Sequence, residues 1–361
     1  KSTAKIYPYG ANKPLQVLGQ FTATVAHDST STTATFQVIK GSTKCLLSHN
    51  TSTTLGLLKT YVNNLNTQHS HTDVQRIIDK HKLLFQGIGK LKGSEVKLEI
   101  DENVEPVAQR ARRIPHSMTS KVNEKLKEML EQDIIEKAEG ATPWLSPLIA
   151  IPKKSRDIRL VLDMRIPNQA LKRRRVQMPT VDDILQKMQG ATVFTEVDLS
   201  QGYLQIPLAP ESRYITAFPT PDNGPHRFKR LIMGACPSGE YFHEEIHNII
   251  RQIPNCANIS DNIWLWSNNM MQHLEDLDNL LTTLETSGLT LREEKCSFAV
   301  TKINVFGHIV SRSGIQPDEA KINAIVTAPQ PKCAAEVRSF LGLTNYCSRY
   351  IDSYSSITYP L

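Results

Sequence analysis

Residues 191–208 read ATVFTEVDLSQGYLQIPL and follow a glycine, Gly190. Within them Val193 to Leu199 is apolar and rich in β-branched side chains, which predicts a buried strand. Asp198 sits near the end of that run. Burying an unpaired carboxylate is costly, so this one should hold a metal, a cation or hydrogen-bond donors. Further along, a second apolar stretch, Asn258-Ile-Ser-Asp-Asn-Ile-Trp-Leu-Trp266, carries Asp261 in its middle. Two strands that each deliver an acid to one point make a divalent-metal site of the kind used for in-line phosphoryl transfer. On spacing alone, two unrelated loop or capping aspartates explain the pattern equally well, because Asp is a common turn residue.

A chain of 361 residues allows two or three domains and a substantial core. Its hydrophobic content of 40% and charged content of 22% are ordinary for a globular protein. A net charge of +6 and a pI near 8.9 tilt it mildly toward anionic partners. The distribution is more telling. Arg110, Arg112, Arg113, Lys153, Lys154, Arg156, Arg159, Arg165 and Lys172 to Arg175 crowd one central region. Clustered cations beside paired acids point to a phosphate backbone held near a metal site, although a solvated basic face would look similar. The six cysteines show no C-x-x-C spacing, so reduced intracellular thiols are expected rather than zinc knuckles or a disulfide framework. No apolar run approaches the roughly 20 residues of a membrane span, and no signal peptide opens the chain. This predicts an intracellular protein, of cytoplasm or nucleus, with no membrane partner. A chain that begins with Lys1 reads as a fragment or a processed piece.

Ahead of the central region, residues 1 to about 58 are rich in Thr, Ser and Asn. The runs Leu15 to Val25, Ala34 to Ile39 and Cys45 to Leu47 fit a small all-β unit, followed by a helix from Thr53 to Lys59. A polar linker and a helix from Asp73 to Phe85 follow. Ser94 to Ile100 alternates as a surface strand should, and Ser117 to Lys137 is amphipathic, with Val122, Leu126, Met129 and Leu130 on one face. Thr180 is placed to cap a helix whose first turn carries Asp182 and Asp183, which belong to the helix dipole. Pro221-Asp-Asn-Gly-Pro225 marks a hairpin turn between Tyr214 and Leu231. A helix running to about Gln252 follows it. His273 to Ser287 is a second amphipathic helix, with Leu274, Leu277, Leu281 and Leu284 facing the core and Gly288 as its stop. Leu289 to Phe298 and Val305 to Val310 read as strands, and Pro317 to Ala328 and Cys333 to Tyr350 as helices.

Three phrases carry a specific resemblance: IRLVLDMRIPN (158–168), DLSQGYLQIPL (198–208) and NISDNIWLWS (258–267). They resemble palm and fingers motifs of reverse transcriptases, and more narrowly the pol polyprotein of gypsy-type long-terminal-repeat retrotransposons, from about Leu91 to Leu361. The resemblance implies an α+β, right-hand polymerase fold (fingers, palm and the start of a thumb) preceded by a small all-β, protease-like remnant. The implied domains are 1–58, the C-terminal half of a retropepsin-like protease; 59–92, a linker; 93–315, fingers and palm; and 316–361, thumb helices ending ahead of ribonuclease H. The protease's catalytic triplet is absent, so proteolysis is not expected. Nor is RNA cleavage, since no carboxylate set of the nuclease type is present.

The resemblance also implies roles. Asp198 and Asp261 would bind two Mg²⁺ (or Mn²⁺) ions with the Leu199 main chain, and the family's second adjacent aspartate appears here as Asn262. Arg159 and one of Lys153 or Lys154 would contact the triphosphate of a deoxynucleoside triphosphate. Tyr203 would lie beneath the nucleotide sugar, Gln205 near the template, and Met233 in the pocket wall, where the family usually has an aromatic residue. Ser238-Gly239 departs from the family's helix start. Phe306, Gly307 and His308 would grip the primer end, with Arg165 also on the RNA/DNA primer–template; packing alone would equally suit His308 to a core position. The expected function is RNA-directed DNA polymerisation, impaired because Asn262 brings no charge to the metal site. The alternative is a remnant that binds primer–template without extending it. Oligomeric state is not legible.

Overall fold

The structure, a computed structural model, describes residues 16–27, 30–41, 48–55, 67–152, 157–221 and 224–361. The chain divides into two compact units, Lys1–Thr67 and Gln68–Leu361. In the first, β1 (Val17–His27) pairs antiparallel with β2 (Thr30–Ile39). Phe21 and Phe36 are partners in that register, and their rings stack at 5.2 Å. A helix, α1 (His49–Thr54), begins earlier than the expected Thr53, because Ser48 Oγ accepts the Thr51 amide N–H at 3.1 Å and so caps it. The Cys45-Leu-Leu47 run lies outside the described residues.

All but the first residue of α2 (Thr67–Lys80) belongs to the second unit; the helix starts before the expected Asp73, and a 3₁₀ turn over Lys82–Phe85 follows. Val96 and Leu98 are buried, but residues 94–100 make only isolated bridges, Val96 to Leu208 and Ile100 to Leu171, rather than a strand. The amphipathic helix α3 (His116–Glu131) buries Val122, Leu126 and Met129 and leaves Leu130 exposed. It stops short of Lys137 because Asp133 takes a positive φ of 56° and the chain turns into β3 (Ile135–Lys137).

Next come the hairpin β4 (Leu148–Pro152) and β5 (Ile158–Leu162), then α4 (Val181–Lys187), β6 (Val193–Asp198), β7 (Phe218–Pro219) and β8 (Pro225–Phe228). The α4 cap is reciprocal: Asp183 N–H donates to Thr180 Oγ1 and Thr180 N–H to Asp183 Oδ2. β7 and β8 form the expected hairpin, with β3 on its other side. Beyond it lie α5 (Ser238–Ile250), β9 (Cys256–Ile259), β10 (Asn262–Ser267), α6 (Met270–Thr286) and β11 (Ser297–Val300). Asn269 caps α6, which buries Leu277, Leu280, Leu281 and Leu284. Gly288, at φ 78°, ends it as expected. The expected strand from Val305 to Val310 is instead two, β12 (Lys302–Val305) and β13 (His308–Ser311), joined by a turn and continued by β14 (Gly314–Pro317). Phe306 and Gly307 both have positive φ (49° and 84°), which folds the chain back on itself. α7 (Glu319–Val326), α8 (Ala334–Asn345) and α9 (Tyr354–Thr358) close the unit. No helix among the described residues is long and apolar enough to cross a membrane.

The site is positioned by one antiparallel sheet, in the order β11-β6-β10-β9. Side chains alternate across it. Val197, Ile263 and Leu265 join α5 and α6 in the main core. Phe194, Trp264 and Trp266 point the other way and pack with Ile184, Leu185 and Met188 of α4 and with Ile303, Val305 and Val310 of the meander. By the same alternation Glu196 and Asp198 share the face of Phe194. That face is therefore apolar at one end and acidic at the other.

Candidate active site

Asp198 and Asn262 are direct partners in the β6–β10 register, followed by Glu196 opposite Trp264. Ile259 and Asn262 also pair, so Ser260-Asp261 is a two-residue turn, with Ser260 at φ 55°. Leu199 is buried and contributes only main chain here, its N–H donating to the Asp261 carbonyl at 3.3 Å. The two strands thus bring Asp198, Asp261 and Asn262 to one end of the sheet. Asp198 is itself buried, and Lys295 Nζ lies 2.8 Å from its Oδ2. Asn262 Nδ2 donates to Glu196 Oε1 at 2.8 Å. Burial raises the Glu196 pKa above the ordinary carboxylate value, and the nearby Asp198 charge adds to it, while the hydrogen bond from Asn262 opposes the rise.

No group of three or more His, Cys, Asp or Glu side chains suited to a metal ion occurs among the described residues. The donors at the turn are two carboxylates and one amide oxygen. All are hard oxygens that suit Mg²⁺ or Mn²⁺, with one charge fewer than three carboxylates would supply. The ammonium on Asp198 shows that this carboxylate draws positive charge. The donor set fits a dication, though weakly.

Beside the turn, Tyr203 stacks on Phe242 at 4.7 Å. A Cβ on Gly202 would stand 2.8 Å from Phe242 Cζ and 3.5 Å from Asp261 Cβ, so only glycine lets this segment lie so close. A Cβ on Gly239 would lie 3.9 Å from the Tyr203 hydroxyl, an ordinary contact that would displace nothing, so this helix start borders the Tyr203 ring without requiring glycine there. Met233 is exposed on the same loop. Asn168 holds the loop in place: its Nδ2 donates to the Gly234 carbonyl at 2.9 Å, and its Oδ1 accepts the Cys236 N–H at 2.8 Å. The Pro167-Asn168 pair was in plain view in the sequence, but nothing there distinguished a loop clamp from a turn asparagine. Gln205 departs from expectation. It is fully buried, donating to the Ser200 and Thr290 carbonyls and accepting the Thr290 N–H at 2.7–2.8 Å, so it cannot reach a template.

Residues 151–310 match the family model for reverse transcriptase (RNA-dependent DNA polymerase). The chain is 34% identical over 247 residues to the retrovirus-related Pol polyprotein from transposon 297 of Drosophila melanogaster, covering 66% of this chain and 23% of the relative. It is 32% identical over 265 residues to that from transposon gypsy of the same organism, covering 71% and 25%. The chain belongs to the reverse-transcriptase family, as a piece of a retrotransposon pol polyprotein. It spans about a quarter of the length of these curated relatives. Among solved structures it is similar to the foamy viral protease-reverse transcriptase. The complex with double-stranded DNA gives a TM-score of 0.71 at 19% identity, covering 94% of this chain and 63% of that one. The complex with an RNA/DNA hybrid gives 0.67 at 19%, covering 99% and 51%. The fold is that of a polymerase preceded by a small β region.

Other candidate residues of this reverse-transcriptase chain take varied places. Arg159 is exposed on β5, opposite Ile151, while Lys153 and Lys154 lie outside the described residues. Arg165 commits Nε and Nη2 to Asp163, at 2.8 and 2.7 Å, and Arg112 joins them at 2.7 Å. Hydrogen bonding from Arg165 holds the Asp163 pKa at about 2, against some burial. Phe306 is partly exposed and meets Trp264 edge-on at 5.4 Å. A Cβ on Gly307 would lie 2.5 Å from Lys321 Cε, and the Tyr346 hydroxyl donates to the Phe306 carbonyl. His308 is a correction. It is buried, stacked on Tyr346 at 5.0 Å with Nδ1 2.7 Å from the Tyr350 hydroxyl, and so takes the core role rather than touching a primer.

Proposed function

We propose that this chain copies RNA or DNA templates into DNA, extending a primer from deoxynucleoside triphosphates. One observation carries the reading: the register that sets Asp198 against Asn262, with Asp261 in the adjoining turn, inside the region that matches the reverse-transcriptase model. Asp198, Asp261 and the Asn262 amide oxygen would hold Mg²⁺ or Mn²⁺. The ions would activate a primer 3′-hydroxyl and hold a triphosphate in line with it. The chain's own groups do the rest. Tyr203, backed by Phe242, offers a ring beneath the nucleotide sugar, where it can reject a 2′-hydroxyl. Arg159, with Lys153 and Lys154, places positive charge for phosphates. Phe306 and Gly307 present a tight turn on which a primer end can rest. The binding of double-stranded DNA and an RNA/DNA hybrid by the foamy viral neighbours supports a primer–template partner. We assign residues 1–58 to a retropepsin-like remnant, 59–92 to a linker, 93–315 to fingers and palm and 316–361 to thumb helices, in a protein of the cytoplasm or nucleus.

Primer extension on primed RNA and DNA templates, with Mg²⁺ and with Mn²⁺, tests the function. Asp198→Asn should abolish it. Extension that survives this substitution would remove the assignment.

A second reading is favoured by the Glu196–Asn262 hydrogen bond, in which a neutral amide stands where a second adjacent acid would bring its charge to the site. On that reading the chain holds primer–template and does not extend it. Binding without extension under both metals would select it.

A further inference from the structure

Asn262 is the position at which this chain has one charge too few, and the structure shows what the amide is bonded to. Its Nδ2 donates to Glu196 Oε1 at 2.8 Å. A carboxylate can only accept hydrogen bonds, whereas a carboxamide has a donating and an accepting end. The flipped amide would set Oδ1 against an anionic oxygen, so the charge on Glu196 selects one orientation. Because the two ends of a planar carboxamide diverge at a trigonal angle, fixing Nδ2 on Glu196 turns Oδ1 away from it. Glu196 lies two residues before Asp198 on one face of β6, and Asn262 lies opposite Asp198. Turning away from Glu196 therefore leaves Oδ1 free at the end of the ladder where the Ser260-Asp261 turn closes.

We propose that Glu196 is a positioning residue that orients Asn262, so that its amide oxygen, and not its N–H, is offered alongside Asp198 and Asp261. This rests on the reading of those aspartates as metal-binding acids. It makes the two residues conditional on each other. With Asn262 in place Glu196 is an asset. With an aspartate there, two carboxylates would meet across a hydrogen-bond distance and Glu196 would have nothing to orient, since the oxygens of a carboxylate are equivalent.

Mn²⁺ titration of the full chain, followed by electron paramagnetic resonance of the free ion, measures this without any turnover. The chains needed are the unaltered one, Glu196→Gln, Asn262→Asp, the double variant, and Asp198→Asn added to Asn262→Asp. Gln matches Glu in size and can pair with Asn262 in either orientation. Glu196→Gln should therefore weaken Mn²⁺ binding roughly tenfold beside Asn262, the usual scale for loss of a ligand-orienting partner. In the Asn262→Asp background the same change should alter it by less than about twofold. An equal loss in both backgrounds would mean that Glu196 acts through its charge alone and would overturn the proposal. An unchanged affinity beside Asn262 would overturn it too. If Asp198→Asn leaves Mn²⁺ binding intact, the metal reading falls and this inference with it.

Discussion

Lys295 and Asp198 form an ion pair in which Nζ stands 2.8 Å from Oδ2, on an acid that is buried and an ammonium that is half exposed. The lysine supplies the positive charge this carboxylate needs once it leaves water. Lys295→Met should lower metal-free stability by about 1–2 kcal/mol, the Coulombic gain being discounted for the solvent around Nζ. Mn²⁺ should then restore more stability than it adds to the unaltered chain. Thermal melts with and without Mn²⁺ measure both, and equal increments would show that Lys295 and the ion do not share Asp198.

Primer extension by the unaltered chain should be slow and should rise with Asn262→Asp, because a third carboxylate offsets the charge of two dications better than an amide does. The gain should be partial while Glu196 remains opposed to the new acid. Adding Glu196→Gln, whose Nε2 can donate to the introduced carboxylate, should raise it further. Single catalytic groups are commonly worth about 10²–10⁴ in rate, which sets the scale for the double variant. Rates compared at equal duplex occupancy test the order, and an unaltered chain as fast as the double variant would contradict it.

Duplex binding should fall steeply with salt, because basic side chains of this chain would displace counterions from phosphates. Arg159→Ala should raise the KM for deoxynucleoside triphosphates by roughly tenfold while leaving duplex affinity within about twofold, since a fork of donors is lost at the phosphates only. Fluorescence anisotropy at two salt concentrations and steady-state kinetics separate these effects. Parallel losses in both would place Arg159 on the template track.

Gln205→Ala should destabilise the fold by about 1–3 kcal/mol, because it leaves the buried Thr290 N–H without its acceptor and takes a donor from the half-buried Ser200 carbonyl and from the Thr290 carbonyl, which keeps the Ser200 N–H. Denaturant unfolding gives the number. Template affinity per folded molecule should be unchanged, and a specific loss of template binding at full folding would restore the role first expected of this residue.

His273 predicts an acid limb in the stability profile. It is fully buried, with Nε2 2.8 Å from Thr195 Oγ1 and Nδ1 3.1 Å from Ser267 Oγ, and burial lowers its pKa from 6.5 to about 4. The folded state thus binds this proton less readily than the unfolded one. Its contribution is complete above pH 6.5 and is lost as pH falls toward 4, by up to about 3 kcal/mol. His273→Gln should flatten the stability profile between pH 6.5 and 4 at some cost in stability near neutrality. A slope in that window unchanged by the substitution would assign it to other groups.

Much of this was legible because local chemistry and tertiary demand agree. The strand at Val193 and the caps at Thr180 and Gly288 follow from apolar runs, reciprocal hydrogen bonds and a positive φ, all set by near neighbours in sequence. Asp198 and Asp261 stood out because a carboxylate buried without a partner is costly and because the phrases around both resemble motifs of a known family. The misses share a different cause. Whether Gln205 or His308 faces a ligand or the core depends on Thr290 and on Tyr346 and Tyr350, residues distant in sequence. Alternation could place Glu196 on the acidic face, but only the Asn262 hydrogen bond shows which end of that amide is left free. At Phe306-Gly307 a β-rich run concealed a reversal that only the backbone angles reveal.

That reversal has a mechanical side. Trp264, the neighbour of Glu196 across the ladder, carries the Phe306 ring on its edge. The Phe306 carbonyl takes the Tyr346 hydroxyl, just beyond α8, and Lys321 of α7 lies 3.3 Å above the Tyr346 ring. Three short links therefore run from the terminal helices to the strand that bears Asn262, with a tight hinge of two residues between them. A swing of α7 and α8 must strain that hinge, slide one ring over another or tug β10, so the geometry of the acids and the pose of the last helices are coupled as parts of one linkage.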